Sequence, residues 1–120
     1  MRVVVTSQGT SLDDLVDPLF GRATHFVLVD TDSGEFSNHD NAQNLQAAQG
    51  AGIQAAQAVA RLGANAVLTG HVGPKAFATL RAGHVVVYTG VTGTVRDALD
   101  NFRAGQLRAS AGADVEGHWT

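Results

Sequence analysis

A stretch in the middle of the chain, residues 65–82, constrains the fold more than any other part of the sequence. Its apolar run Ala66–Thr69 is too short for a helix and is typical of a buried strand. Gly70 ends this run, and Gly73-Pro74 then opens a helix, because proline at the first helical position costs no hydrogen bond. The stretch therefore predicts a strand, a glycine loop and a helix in succession.

The same stretch indicates a place for an anion. Open α/β sheets bind ligands at the carboxyl ends of their strands, which is where this glycine loop lies. The helix start offers unpaired N–H groups and the positive end of the helix dipole, and Lys75 adds a full charge. Phe77 and Leu80 share one face of this helix, and Gly83 is expected to end it in the left-handed conformation. An ordinary turn that binds nothing is the alternative, and this loop alone does not decide between the two.

Periodicity and turn residues predict the other elements of the chain. Further strands are expected at residues 2–6, 25–30, 35–38 and 85–89. Further helices are expected at 52–62 and between the Thr94 cap and Gly105, with a single helical turn at 12–16. Polar or loose segments are expected at 39–49 and 106–120, and Trp119 is expected to clip the latter onto the domain.

This order of elements predicts a three-layer α/β fold of the ribonuclease H-like type. The first three strands suit a meander and the later ones suit right-handed crossovers. We therefore expect a mixed five-stranded sheet in the order 3-2-1-4-5, with helices on both faces, spanning residues 1–107, and a flexible tail at 108–120. The loops that begin at Ser7, Gly70 and Gly90 would then meet at one edge of the sheet, and Phe20–Arg22 would lead back from it.

Composition and charge argue against several functions that this fold can host. The formal net charge is −3 and no basic cluster is present, so we expect no nucleic-acid partner. The acids lie outside the predicted central strands, so a two-metal nuclease site is not expected. Neither the dinucleotide fingerprint nor the phosphate-loop lysine motif occurs. The first apolar run is too short for a signal peptide, which favours the cytoplasm and no membrane partner.

The metal-ligand inventory is equally restrictive. The sequence has no cysteine, which excludes disulfides, thiol catalysis and thiolate ligation. None of the five histidines is spaced three or four residues from another. Among them His71 lies in the central glycine loop, where it is either a metal ligand or a hydrogen-bond donor to an anion. A bound metal must therefore be held by His, carboxylate or backbone groups, or arrive in a complex that carries its own ligands.

Four segments of the sequence together carry a resemblance to a known family. These are Val16-Asp17-Pro18-Leu19-Phe20-Gly21-Arg22-Ala23, the run Gly50–Ala56, the run Gly70–Phe77, and Tyr88 through Val95. In this combination the chain resembles the dinitrogenase iron–molybdenum cofactor biosynthesis family, which includes NifX, NafY and the carboxyl-terminal region of NifB. The likeness covers residues 1 to about 107 and implies the same ribonuclease H-like fold.

Within this family the segments 5–12 and 68–75 most resemble the orange-protein branch. The resemblance implies a mixed molybdenum–copper sulfide cluster held without covalent bonds to the protein. Many NifX-like members have histidine directly before Phe-Gly-Arg, whereas this chain has Leu19 there. That departure favours a cluster that brings its own sulfide ligands over an iron–sulfur precursor ligated by imidazole.

These observations predict a non-enzymatic binding or carrier protein for an anionic molybdenum–copper sulfide cluster. Arg22, Lys75 and the glycine loops would supply charge and N–H donors, and Phe20 with Val72 would supply apolar surface, with no protein ligand to the metals. An escort for an iron–molybdenum precursor cluster and a protein-interaction module without cofactor are the alternatives. The chain is expected to be a monomer, with P-loop ATPases as partners. The residues expected to bind the cluster are Ser7, Gln8, Gly9, Thr10, Phe20, Gly21, Arg22, Gly70, His71, Val72, Gly73, Pro74, Lys75, Gly90, Thr92 and Gly93.

Overall fold

The computed structural model describes residues 1–41 and 50–113. The strands in this part of the chain are β1 (Arg2–Ser7), β2 (His25–Asp30), β3 (Phe36–Asp40), β4 (Ala66–Leu68) and β5 (Val86–Tyr88). The α-helices are α1 (Ala51–Arg61), α2 (Pro74–Ala82) and α3 (Val95–Arg103), and a single 3-10 turn spans Phe20–Arg22. None of these helices is long and apolar enough to cross a lipid bilayer.

The strands form one mixed sheet in the order β3-β2-β1-β4-β5, as the sequence predicted. β2 pairs antiparallel with both β1 and β3, with Ser7 opposite His25 at one end and Arg2 opposite Asp30 at the other. β4 pairs parallel with both β1 and β5. The carboxyl ends of β1, β4 and β5 therefore lie at the same edge of the sheet.

The helices cover both faces of the sheet because the central strands are apolar on both sides. Alternate residues of β1, with Val4 on one face and Val3 and Val5 on the other, enter two separate cores. Helices α1 and α2 pack over the Val4 face through residues such as Ala56 and Leu80. Helix α3 covers the opposite face. The predicted three-layer arrangement is thus confirmed.

Local sequence signals set several of the helix ends. Pro74 is the first residue of α2, as predicted. At α3 the Thr94 hydroxyl accepts from the Asp97 N–H at 3.0 Å, and the Asp97 carboxylate accepts from the Thr94 N–H at 3.1 Å. This reciprocal pair is the predicted capping box. Gly63 and Gly105 end α1 and α3 with positive φ of 76° and 72°.

Three sequence predictions about local structure were wrong. The helical turn predicted over 12–16 stops at Asp14, whose N–H donates to the Ser11 carbonyl at 3.1 Å, because Val16 and Leu15 instead bridge Ser7 and Thr94. Strand β3 continues to Asp40, where a loop was expected from His39 onward, while residues 42–49 of that loop lie outside the described residues. Gly83 has φ −86°, and the left-handed position after α2 belongs to His84 with φ 61°.

Part of the segment predicted as a loose tail is attached to the sheet. Ala109 bridges Tyr88 in antiparallel fashion, and the Ser110 N–H donates to the Val87 carbonyl at 2.7 Å. The Thr89 and Ser110 hydroxyls lie 2.6 Å apart. Trp119, predicted to clip the tail onto the domain, lies outside the described residues, and the domain boundary at residue 107 stays a prediction.

Candidate functional site

One edge of the sheet gathers most of the loops that the sequence singled out. Strands β1, β4 and β5 end here. Helices α1 and α2 lead into β4 and β5, and α3 follows β5, so all three helices begin at this edge. We call this edge the rim and define it as residues 7–24, 50–52, 69–75 and 89–95. Ligands of open α/β sheets bind at such edges.

The segment 16–20 joins the loops of the rim through its own backbone. The Asp17 N–H donates to the Thr6 carbonyl at 2.9 Å, and the Val16 N–H donates to the Gly93 carbonyl at 2.9 Å. The same segment then exchanges two bonds with His71, whose N–H donates to the Pro18 carbonyl at 2.7 Å and whose carbonyl accepts from the Phe20 N–H at 3.0 Å. The rim is therefore one connected unit.

Two buried threonine hydroxyls hold the 16–20 segment against the ends of β1 and β4. The Thr6 Oγ1 lies 2.8 Å from the Asp17 carbonyl and 2.8 Å from the Thr69 Oγ1. A hydroxyl has one proton, so Thr6 donates to Asp17 and accepts from Thr69. Both threonines are fully buried, which makes each bond costly to lose. This chain of bonds ties β4 to β1 and both to the 16–20 segment.

Gly70 is required here by packing. A Cβ atom at this position would lie 2.5 Å from the Pro18 carbonyl oxygen and 2.8 Å from its Cα. Both are backbone atoms that the His71 hydrogen bonds hold in place. The glycine that ends β4 therefore lets the 16–20 segment cross the end of the strand, whatever else binds at the rim.

On the α3 side, the rim is crossed by its own backbone hydrogen bonds and carries acids. The Gln8 N–H donates to the Leu15 carbonyl at 2.9 Å, and the Val95 N–H donates to the Asp14 carbonyl at 2.9 Å. The Asp97 carboxylate occupies the start of α3. Of the predicted binding residues, this side holds Ser7, Gln8, Gly9, Thr10, Gly90, Thr92 and Gly93.

On the α1/α2 side, the rim has the opposite character. Neither α1 nor α2 has a side-chain cap or an acidic residue in its first turn. Arg22 and Lys75 are exposed on this side, and neither forms an ion pair with the residues that the structure describes. The positive ends of two helix dipoles and two cations thus face one side of the rim. Of the predicted binding residues, this side holds Phe20, Gly21, Arg22, Gly70, His71, Val72, Gly73, Pro74 and Lys75.

Two predicted binding residues cannot act as surface in this structure. Phe20 and Val72 are 0% exposed and belong to the core beneath α1 and α2. Phe20 stacks on Phe26 with ring centroids 5.8 Å apart. The prediction that their side chains offer apolar surface to a ligand is therefore wrong, because both side chains are packed in the core of this small domain.

Three other predicted binding residues differ from their predicted roles. His71 is exposed, but its backbone N–H is already bonded to Pro18. The Ser7 hydroxyl is buried and bonds within its own loop, to the Gly9 carbonyl at 2.8 Å. Gly73 has φ −83° and ψ 170°, which any residue can adopt, so no left-handed conformation explains it.

Sequence reasoning did not place the start of α1 among the binding residues. Gly50 has φ 76° and turns the chain into α1 without a side-chain cap, and Ala51 and Gly52 are the first helical residues. This start lies at the rim because α1 packs beside α2 and against the 3-10 turn. The glycine-rich run 50–52 was visible in the sequence, but its position depends on the topology.

Asp17 is the ionisable group most affected by the rim. Partial burial raises the pKa of its carboxyl above the ordinary 3.8, and hydrogen bonds from the Leu19 and Thr24 N–H groups partly offset the effect. Within the described residues, no group of three or more His, Cys, Asp or Glu side chains could hold a metal ion. The rim therefore offers cations and N–H donors to a ligand.

The fold and the rim together define a small α/β domain whose parallel strands end in glycine loops with a positive side. The family model described as dinitrogenase iron-molybdenum cofactor matches residues 1–105. The chain belongs to this dinitrogenase iron–molybdenum cofactor family.

The chain is also similar to solved structures and to a curated relative. The apo form of the orange protein from Desulfovibrio gigas is 44% identical, with a TM-score of 0.94 over 95% of this chain and 96% of that one. A Thermotoga protein described as NifB-like is 34% identical, with a TM-score of 0.83 over 97% and 98% of the two chains. An uncharacterized protein of Methanocaldococcus jannaschii is 29% identical over 77% of this chain and 80% of its own.

Proposed function

We propose that this protein is a non-enzymatic carrier of an anionic metal–sulfur cluster, held without covalent bonds on the α1/α2 side of the rim. The observation that carries the proposal is the contrast between the two sides of the rim. One side is capped by Asp97, whereas the other leaves two helix starts, Arg22 and Lys75 unneutralised within the described residues. An anion is the ligand that such a surface stabilises.

The chemistry of the donors fits a cluster that carries its own ligands. The chain has no cysteine, so the protein supplies no thiolate to a metal. A sulfide-rich anion needs N–H donors and cations around it, which the starts of α1 and α2 with Arg22 and Lys75 supply. Leu19, which is partly buried beside His71, and exposed Pro74 are the apolar groups that replace Phe20 and Val72 in this proposal.

We further propose that the cluster is a molybdenum–copper sulfide. The family name and the likeness to the orange protein support a metal–sulfur cluster, and the sequence motifs favour the orange-protein branch. Binding through Arg22 and Lys75 involves no bond-making step, so the proposed role is not enzymatic. The cytoplasm as location, the monomeric state and a P-loop ATPase partner stay predictions that accompany this proposal.

Metal analysis combined with an absorption spectrum tests the proposal. The protein is purified natively and also incubated with tetrathiomolybdate and a copper(I) salt, then passed through a desalting column. The proposal predicts a visible absorption band that elutes with the protein, together with molybdenum and copper. A band that elutes with iron and molybdenum would instead support the precursor escort. A colourless protein that retains neither metal would contradict a carrier role and favour an interaction module.

A further inference from the structure

The outer edge of β3 is an open edge of the sheet within the described residues. β3 is the last strand in the sheet order and pairs with β2 on its inner side. The Asn41 N–H donates to the Thr24 carbonyl at 3.0 Å, and bonding residues alternate along an antiparallel pair. The N–H and carbonyl groups of Phe36 and Asn38 therefore point away from β2. They have no partner in the part of the chain that the structure describes, so this edge is a template for an added strand.

The two edges of the sheet differ in this respect. At the β5 edge, residues 109–110 already pair with the strand, where the Ser110 N–H donates to the Val87 carbonyl. At the β3 edge, Phe36 and Asn38 are both exposed, and Phe36 keeps 47% of its surface accessible. Of these two edges, β3 is therefore the one at which a further strand can bond directly to the sheet.

A cavity of about 250 Å³ opens beside the start of β3, at the end of the sheet away from the rim. It is lined by Arg2, Leu28, Asp30, Glu35, Phe36 and Ser37. Leu28 is half-buried and Phe36 is exposed, so the cavity has apolar walls next to the open strand edge. It is large enough for one long side chain of a bound segment.

The cavity carries more carboxylates than cations. Glu35 is exposed and forms no ion pair within the described residues. Hydrogen bonds from two N–H groups of the hairpin turn hold the pKa of Asp30 below the ordinary 3.8, so this carboxyl is ionised at neutral pH. Arg2 offsets part of this charge, while its guanidinium donates to the Leu62 carbonyl at 3.2 Å. Carboxylates beside apolar walls suit a lysine or arginine side chain, which has a charged head on an apolar stem.

We propose that the outer edge of β3 binds an extended basic segment of a partner protein as an added strand. Backbone bonds to Phe36 and Asn38 hold this segment along the edge. One of its lysine or arginine side chains lies in the cavity, with its stem against Leu28 and its head beside Glu35. The inference goes beyond the carrier role and does not depend on the cluster.

The charges of the chain favour a separate partner over the chain itself. Residues 42–49 and 114–120, the parts outside the described structure, contain no lysine or arginine that could enter the cavity. A second copy would bring its own Glu35 and Asp40, both exposed, to the same short edge. Like charges on paired strands are destabilising, whereas a basic segment neutralises them.

Peptide binding to the full chain, measured by fluorescence anisotropy, tests the proposal. The probes are a labelled peptide that alternates valine with lysine and a matched peptide that alternates valine with glutamine. We expect the basic peptide to bind at least about tenfold more tightly, and Glu35→Lys to remove that preference. The control Asp100→Lys makes the same change in net charge at an exposed position of α3, outside the cavity, and should keep the preference. Equal binding of the two peptides by the natural chain, or an unchanged preference in Glu35→Lys, would overturn the proposal.

Two methylated peptides separate strand pairing from simple charge attraction. The N–H groups of a strand point alternately to its two sides, so only one of the two alternating sets of residues faces β3. Backbone N-methylation of every lysine in one basic peptide, and of every valine in another, removes one set each and keeps every charge. We expect one of these peptides to lose affinity at least about tenfold and the other to keep it. Equal affinity of the two would refute pairing with β3.

A variant of β3 distinguishes a partner segment from a second copy. Asn38→Pro removes one outward N–H, and an edge strand tolerates proline at such a position. We expect the natural chain to sediment as a monomer, and the variant to bind the basic peptide at least about tenfold more weakly while circular dichroism shows the fold retained. If the natural chain sediments as a dimer that Asn38→Pro dissociates, the occupant is a second copy and the partner assignment is overturned.

Discussion

Replacing Gly70 by alanine tests whether the rim is built as described, independently of any ligand. The added Cβ would lie 2.5 Å from the Pro18 carbonyl oxygen, about 0.9 Å inside the 3.4 Å at which ordinary contact begins. Pro18 cannot retreat without stretching the His71 N–H bond of 2.7 Å and the neighbouring Phe20 bond of 3.0 Å. Overpacking costs about 1–3 kcal/mol, and each weakened hydrogen bond adds up to about 1 kcal/mol. We therefore expect Gly70→Ala to lower the free energy of unfolding by about 2–4 kcal/mol.

Urea unfolding followed by circular dichroism measures this loss. With a slope of about 1–3 kcal/mol per molar urea for a small protein, the midpoint should fall by about 0.7–4 M. Gly90→Ala is the matched control, because Gly90 has φ 73° and nothing within 4 Å of an added Cβ. Only the left-handed conformation opposes that change, at about 1–2 kcal/mol. If Gly70→Ala costs no more than Gly90→Ala, the contact between Pro18 and the end of β4 is not what requires the glycine.

Three further predictions concern single residues of the rim. Asp17→Asn should raise the free energy of unfolding at neutral pH, because a carboxyl whose pKa is raised in the folded state destabilises the fold when it is ionised. The gain should vanish below pH 3.8, where the carboxyl is protonated, and urea midpoints measured across pH check this. Gly73→Ala meets no backbone strain because φ is −83°, so reduced cluster uptake by the folded variant, measured by absorption beside its urea midpoint, would report contact with the cluster. His71→Gln should lose about 1 kcal/mol of cluster binding with an unshifted absorption spectrum. A shifted spectrum would show that His71 ligates copper.

The sheet order and most elements could be predicted because they follow from local pattern and chain connectivity. The continuous run Val3-Val4-Val5 requires burial on both faces, which makes β1 central. Pro74 and the Thr94–Asp97 pair define helix starts through their own hydrogen-bonding capacity. Such signals act within a few residues, so at these positions they did not depend on distant parts of the chain.

The errors occurred where tertiary contacts decide the conformation. Leu15 and Val16 have helix-compatible chemistry, but Thr94 and Ser7 offer them backbone partners across the rim. At the end of α2, a Cβ on Gly83 would lie 3.0 Å from the Ala60 Cβ, so this glycine allows α1 and α2 to approach. The left-handed turn falls one residue later, on His84.

The candidate site could be found from the sequence but not resolved into two sides. Glycine loops and cations identified the rim, while the grouping of its helix starts into two sides depends on the topology of the sheet. The start of α1 joins Lys75 and Arg22 only because α1 and α2 pack side by side on one face. Burial of Phe20 could not be predicted from the sequence either, because the pattern of a loop does not show which side chains enter the core.

The affinity of the rim for thiomolybdate and copper in charge-reversal variants tests the central claim most directly. Arg22→Glu with Lys75→Glu places two acids where the proposal places an anion, while both positions are exposed and free of ion pairs within the described residues. Arg61→Glu with Arg103→Glu makes the same change in net charge in the last turns of α1 and α3, away from the rim. The account predicts that the first variant loses affinity at least about 100-fold, which is roughly 2.8 kcal/mol, while the control binds like the natural protein. Equal retention of molybdenum and copper by both folded variants would contradict an anion site on the α1/α2 side of the rim.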